Sequence, residues 1–567
     1  MKSKINIVTK VLLFGCVLLI IASCKKDMTV VQLNDQTTAD IYNPDGLRRF
    51  DIGVFNEYAG NYNYFWPLYT GHCAGEYEFK EPVNEGPYHF EMWNLDYGPT
   101  NVFISWIYSS FYNSIRQANY VIDIVENNKG TVSLVPADER NLILGSAYFM
   151  RGLSYFYLLH TWGRPYDQAD NKWGVPLHLE VIDSRDKVNQ PRATCTEVYA
   201  SIESDFTKAK NLLPDPANLP ASQLGRPTKP SAIAMLGKTL VFEKKYNEAI
   251  TQFNEFFQNY GNAGKGSANY KGLVEYYGDL FHGKKENSEE SLFEIQYSDL
   301  VNTNGWQGGG TGSMFQIYVG GPDLGRGNVS VRDTLFTDFK RGDIRKIESR
   351  FHPNSRFTSS PNYADTIVYH GKQKICRDSV LLWISGVPNG MAPYKKNNKL
   401  ENSPKKYINF DHASSNPTGM ATDVSMCNQF VLRVAEVYFL YAEAVVQGGG
   451  DLNTATKYIN KVTHRAYGYY EDQACPMDYD AGRDGDFMAY LMAEKRKEFI
   501  GESVRWFDMV RWNAMPAYNG FAAKETYIYK YNMKTKTYIE YTNRSAAWPM
   551  PIREVAANPA CEQDYMY

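Results

Sequence analysis

Residues 233–253 read IAMLGKTLVFEKKYNEAITQF, and their spacing decides the fold. Ile233, Leu236 and Leu240 recur at helical intervals, and twelve residues after Gly237 come Ala249 and then Phe253. That is the tetratricopeptide spacing, in which a small residue on the first helix lets the second approach closely. Tyr438, Tyr441, Ala442 and Val445, followed by Ala455 and Ile459, make a looser copy across the longer turn Gly448-Gly449-Gly450. A superhelix of helix pairs is the fold these two segments predict.

The flanking chain agrees. Asn101 to Val125 carries Val102, Trp106, Phe111, Ile115, Ala118, Ile122 and Val125 at helical spacing. Glu139 to His160 reads as a second strong helix, ended by Trp162-Gly163-Arg164-Pro165. Thr194-Cys195-Thr196-Glu197 is a capping box that opens a helix with Val198, Ile202, Phe206, Ala209 and Leu213 on one face. Two stretches break the pattern: Tyr58 to Gly98, and roughly Phe293 to Gln429, both rich in Gly, Pro, Asn and Tyr. Long irregular segments in a compact protein are commonly functional. The expected architecture is therefore mainly α, with a few short strands and long irregular loops.

The N-terminus sets the compartment. Lys2, Lys4 and Lys10 precede an apolar run from Val11 to Ala22, too short for a bilayer span and suited to a secretory signal. Ile21-Ala22-Ser23-Cys24 puts small residues before a cysteine that can be acylated. We read residues 1–23 as a signal peptide, Cys24 as the lipidated N-terminus, residues 24–40 as a tether and residues 41–567 as one domain. Within that domain the helical scaffold is expected at about 41–290 and 430–567, around a loop-rich insertion at about 291–429. The net charge of −3 gives no basic surplus for nucleic acid, and removing the lysines of the signal makes the chain more acidic. Six cysteines remain beyond Cys24, far apart and without a CxxC pair.

No catalytic constellation stands out. HExxH, HxH and GxSxG are missing, and the cluster Gly308-Gly309-Gly310-Thr311-Gly312 is not followed by GK[ST]. Asp478 to Asp486 has some look of a calcium loop. Counting from Asp478, however, position 6 is Arg483 and position 12 is Ala489. It reads as an acidic loop in which Asp486 caps the next helix. No catalytic residue, metal or cofactor is assigned.

Tyrosine is abundant, with 43 Tyr against 29 Phe and 10 Trp. Aromatic rings beside amides and carboxylates suit sugars, whose C–H faces stack and whose hydroxyls seek polar partners. The irregular stretches supply both. The candidate ligand residues are Trp66, Trp93 and Tyr97 in the first, and Asn304 and Trp306 in the second. Trp106, Trp162, Trp506, Trp512 and Trp548 are expected in the core.

Five segments in order resemble the SusD/RagB family of nutrient-binding surface lipoproteins. They are Trp106-IYSSF-Tyr112-NS-Ile115-RQ-Ala118-Asn119; Ala147-YFM-Arg151-GLSYFYLLHTW-Gly163-Arg164-Pro165; and Arg433-VAEVYFLYAEA. Glu494-KRKEFIGESV-Arg505-WF-Asp508-MV-Arg511-Trp512 and Trp548-Pro549-Met550-Pro551-Ile552 onward to Asn558-Pro559 complete the set. Departures from the family pattern are Gly152 for Ala, Lys495 for Arg, Phe499 for Leu and Ser503 for Gly. The resemblance implies four tetratricopeptide-like units, an outer-membrane address and a SusC-like TonB-dependent barrel as partner. It also implies ligand contacts from loops near the N-terminal helix and from the insertion after Phe293-Glu294-Ile295-Gln296-Tyr297. An oligosaccharide or polysaccharide is the expected ligand. An oligopeptide, or a transporter lid with no ligand of its own, is the alternative. The Glu494, Glu498, Glu502, Arg505, Asp508 and Arg511 stripe is expected to be scaffold, either as exposed ion pairs or as buried ones.

Overall fold

The glycine on which the opening motif turns does what the spacing requires. A Cβ built on Gly237 would lie 2.4 Å from Cε1 of Phe253, so only glycine lets the two helices meet this closely. These are α7 (Lys229–Phe242) and α8 (Tyr246–Phe256). The computed structural model describes residues 41–64, 66–79, 86–165, 171–297, 329–350, 364–377, 404–407, 427–513, 530–532, 537–539, 543–564 and 566–567. The signal, Cys24, the tether, Asn304 and Trp306 lie outside the described residues.

Three further pairs stack on the first. They are α1 (Pro44–Tyr64) with α4 (Val102–Glu126), α5 (Ala137–Trp162) with α6 (Cys195–Leu212), and α10 (Val434–Gln447) with α11 (Leu452–Ala466). Each pair packs on the next through α4 on α5, α6 on α7 and α8 on α10. The fold is the tetratricopeptide-like stack that the sequence predicts. Helix ends follow the local chemistry. Thr194 and Glu197 form both halves of the capping box at α6, and Asp451 accepts from Asn453 N and Thr454 N at α11. Helix α5 is long and apolar enough to cross a membrane, but its apolar window is wholly buried and it serves as a core helix.

Conserving polar contacts inside this stack takes charge pairs. Arg151 on α5 holds Asp205 on α6 in a two-pronged bond (2.9 and 2.7 Å) and donates to Asn119 Oδ1 on α4 at 2.8 Å. The Ala118-Asn119 and Arg151 motif residues therefore interlock three helices. Gly152 sits 3.2 Å from the Asp205 Cβ through its virtual Cβ, so the step is tight there too.

Strands are few and paired antiparallel among the described residues. β1 (Tyr77–Phe79) pairs with β3 (Val329–Val331), and β2 (Ser291–Ile295) with β6 (Gln429–Arg433). β4 (Ala364–Tyr369) and β5 (Lys372–Arg377) form a hairpin, as do β7 (Lys530–Asn532) and β8 (Thr537–Ile539). The β2–β6 ladder joins the two ends of the segment between the helical blocks.

A buried charge cluster fastens that neck. Arg433, immediately before α10, donates to Glu290 (2.8 Å), Glu498 (2.7 Å) and Glu502 (2.8 and 2.9 Å). Arg465 reaches Glu290 and Glu498 at 2.5 Å, and Lys406 reaches Glu502 at 2.6 Å. Arg345, on the short helix α9 (Ile344–Ser349), pairs with Asp343 at 2.7 Å and Glu494 at 2.6 Å, and Lys497 also meets Glu494. Arg345, Lys406, Arg433, Arg465 and Lys497 thus balance Glu290, Asp343, Glu494, Glu498 and Glu502, charge for charge. Burial raises the Glu498 carboxyl, but Arg465, Arg433 and Arg345 outweigh it and hold it at about 2. Of the two forms expected for this stripe, the buried one is realised. Glu494 and Glu498 lie on α12 (Phe487–Phe499) and Glu502 on the turn after it, and the following helix α13 (Arg505–Asn513) locks onto α10 in the same way. Arg511 forks Glu443 at 2.5 and 2.6 Å while donating to Asp508 at 2.8 Å, and Lys495 takes the other Asp508 oxygen at 2.8 Å.

Cys73, Cys195, Cys427, Cys475 and Cys561 are buried.

Candidate ligand-binding face

Asn101 builds the corner where an aromatic surface emerges. Its Oδ1 accepts from Phe103 N (3.0 Å) and Ile104 N (3.3 Å), capping α4. Its Nδ2 donates to Tyr88 O (3.0 Å) and Glu91 Oε2 (2.8 Å), both on α3 (Gly86–Trp93). One side chain therefore fixes the short helix against the long one. The inner side of the corner is filled by His89, Phe103, Tyr69 and Trp93. Phe103 lies 4.4 Å from the His89 ring and 5.3 Å from Tyr69, and Tyr69 Oη bonds His89 Nδ1 at 2.7 Å. Burial pushes the His89 imidazole down to about 4, so it is neutral at physiological pH.

The outer side carries Trp106 and Tyr88, 53% and 40% exposed. Trp106 rests edge-to-face on Phe103 at 5.6 Å, so its indole is supported from beneath and open above. This corrects the expectation that Trp106 is core. The helical stripe runs through Phe103, Ile107, Phe111, Ile115 and Ala118. The five-residue step from Trp106 to Phe111 turns it away by about 140°. Counting that step would have revealed it.

Three expected ligand residues are corrected in the opposite direction. Trp66 is fully buried, stacked 5.8 Å from Phe507 and packed edge-on against Phe111, Tyr157 and Trp548. Trp93 is 4% exposed, against Phe90, His72 and His89. Tyr97 is buried between Trp548 and Tyr567. Their rings have neighbours where a sugar would need room. The cause is that Trp66 sits on a wholly buried helix, α2 (Trp66–Cys73), within a stretch that the sequence shows only as irregular. Trp162, Trp506, Trp512 and Trp548 are buried as expected.

Asn304 and Trp306 fall in residues 298–328, but both flanks of that segment are described. It leaves from Tyr297, whose N–H donates to Asn428 Oδ1 at 2.8 Å beside the β2–β6 neck. It returns at Val329, paired with Phe79 in the β1–β3 ladder. The second irregular stretch is thereby tied to the first, a few residues before α3.

The acidic loop is filled by its own cation. Arg483 donates to Pro476 O at 2.7 Å, to Asp478 O and to Asp484 Oδ1 at 2.9 Å, while Asp486 caps α12 through Ala489 N. Among the described residues no group of three His, Cys, Asp or Glu side chains is disposed to hold a metal.

Comparison with known proteins bears on this scaffold. Residues 289–567 match the SusD family, and residues 47–240 match a SusD-like family described as starch-binding and associating with the outer membrane. This chain belongs to the SusD/RagB family. Among similar SusD/RagB proteins is SusD-like protein P25 of Formosa agariphila, 21% identical over 500 residues, covering 84% of this chain and 81% of that one. The fold superposes on a laminarin-binding SusD-like protein with a TM-score of 0.67 at 20% identity, covering 93% of this chain and all of that one. It also superposes on surface glycan-binding protein A of Bacteroides thetaiotaomicron, solved with laminarihexaose, with a TM-score of 0.63 at 17% identity and the same coverage.

Proposed function

We propose that this SusD/RagB protein captures an oligosaccharide or polysaccharide at the cell surface and passes it to a SusC-like TonB-dependent barrel, anchored in the outer membrane by lipid on Cys24. The β1–β3 ladder is the observation that carries the reading. It brings the return of the segment holding Asn304 and Trp306 beside the chain that leads into Tyr88 and Trp106. Trp306, Trp106 and Tyr88 would offer stacking faces, and Asn304 would take a sugar hydroxyl. Relatives solved with or named for laminarin and laminarihexaose support a glycan as the cargo. The chemistry required is reversible binding; no bond is broken, and release to the barrel needs only moderate affinity.

The test is calorimetric titration of the chain from residue 25 onward against a panel of neutral glycans and peptides, with Trp306→Ala and Trp106→Ala alongside. Binding to one glycan, weakened in both variants, supports the reading. Binding to peptides alone, or to nothing, favours the oligopeptide or lid alternative.

A further inference from the structure

A cavity of about 650 Å³ opens beside β2 and involves none of α1 to α4. Its walls come from the turns before α7 and after α8, the approach to β2, and the end of α11 with the loop beyond it. Lys271 lines it, and its ammonium donates to two backbone carbonyls, Ser291 O at 2.8 Å and Ser288 O at 3.2 Å. The other cations of the cavity are spoken for. Arg465 is held by Glu290 and Glu498, Lys461 by Glu471 at 2.6 Å, Lys265 by the same Glu471 at 3.6 Å, and Arg226 by Asp51. Lys271 has no carboxylate of its own within ion-pairing distance among the described residues, and a third N–H remains for a ligand. Beside it, the Ser288 hydroxyl is buried with no hydrogen-bond partner. Burial, opposed by Glu294 and Glu289, pushes the Lys271 ammonium down to about 8, as an ammonium lacking its counter-charge should be.

Around this point the wall changes character. Tyr270 is half-buried, and Tyr470 is 59% exposed with its ring 3.7 Å from the His370 ring. Glu289 and Glu471 add acceptors. An unanswered ammonium and hydroxyl suit a carboxylate, aromatic faces suit a pyranose ring, and surrounding carboxylates suit sugar hydroxyls. We propose that this cavity is a second binding site, separate from the aromatic face, for the carboxylate-bearing residue of an acidic sugar. Lys271 and Ser288 hold the carboxylate, and Tyr470 and Tyr270 flank the ring.

The probes are D-glucuronate, D-glucose and acetate at matched ionic strength, titrated by calorimetry into the chain from residue 25 onward. Glucuronate binds; glucose, which lacks the charge-assisted hydrogen bond, and acetate, which lacks the ring that the tyrosines flank, bind roughly tenfold more weakly or not at all. Lys271→Met abolishes glucuronate binding and Ser288→Ala weakens it. Tyr470→Ala, at an exposed ring that the fold tolerates losing, also weakens it and serves if Lys271→Met does not fold. Trp106→Ala and Trp306→Ala leave glucuronate binding unchanged, so this site stands or falls apart from the proposed glycan face. Glucose binding as tightly as glucuronate would overturn the proposal, as would acetate doing so, which would mark a bare anion site. No glucuronate binding, or binding untouched by all three cavity variants, would overturn it as well.

Discussion

Replacing Glu498 by Gln keeps the shape of the side chain and removes one negative charge from the centre of the buried cluster. Glu498 is fully buried, its Oε1 accepts from Arg433 at 2.7 Å and Arg465 at 2.5 Å, and its Oε2 lies 3.6 Å from Arg345. Three guanidinium groups would then share the remaining acids. Removing one partner from such a buried set costs about 3–5 kcal/mol, because the other charges stay desolvated. The proton linkage gives a similar figure. The carboxyl titrates at about 2 in the fold against 4.5 unperturbed, a difference worth roughly 3 kcal/mol. Because the folded value is depressed, this stabilisation is fully present above about pH 4.5 and drains away as pH falls towards 2. Urea unfolding of both chains at pH 7, 4 and 3, followed by circular dichroism, reads both effects. At pH 7 the variant should be weaker by about 3 kcal/mol, and the gap should narrow as the pH is lowered. A loss below about 1 kcal/mol, the range of exposed pairs, with no narrowing in acid, would refute the buried-network argument.

Gly237→Ala forces a methyl to 2.4 Å from Phe253. An overpacking cost of about 1–3 kcal/mol should exceed the ~1 kcal/mol helix gain, with partial rescue by Phe253→Leu; net stabilisation would contradict the close approach. Trp66→Ala should cost about 3–5 kcal/mol in thermal or urea unfolding, whereas Trp106→Ala should stay within about 0.5 kcal/mol. Glu76 is fully buried, and burial raises its carboxyl to about 7 despite Arg505 and the Gly501 N–H. The fold therefore holds a proton that the unfolded chain releases near 4.5, so Glu76 makes stability fall as pH rises from about 4.5 to 7. Glu76→Gln should flatten that decline in a pH series of unfolding midpoints.

The helix pairs were legible because tetratricopeptide packing writes itself locally: Gly237, Ala249 and Phe253 meet at fixed separations along the chain. The caps at Thr194 and Asp486 were legible for the same reason. The burial of Trp66 and Tyr97 was not, since the rings that cover them, Phe507, Trp548 and Tyr567, come from the far end of the chain. Trp93 is covered by His72, His89 and Phe90 from its own stretch, which carries no helical period in the sequence. The charge stripe on α12 was visible as a spacing. Its partners Arg345, Arg433 and Arg465 lie on separate elements, and that long-range closure settles burial over exposure. Lys271 carried no signal at all, because it is its lack of a counter-charge that distinguishes it, and that depends on the whole fold.

The proposed function is capture of a glycan at an aromatic face without turnover. Native electrophoresis of the chain from residue 25 onward through gels containing individual polysaccharides, with the eluted glycan sized afterwards, tests it most directly. Capture at the aromatic face should give retardation by one glycan, relief of that retardation in Trp306→Ala and Trp106→Ala, and a recovered glycan of unchanged length. Migration unaffected by every glycan, retardation indifferent to both substitutions, or shortened product would contradict it.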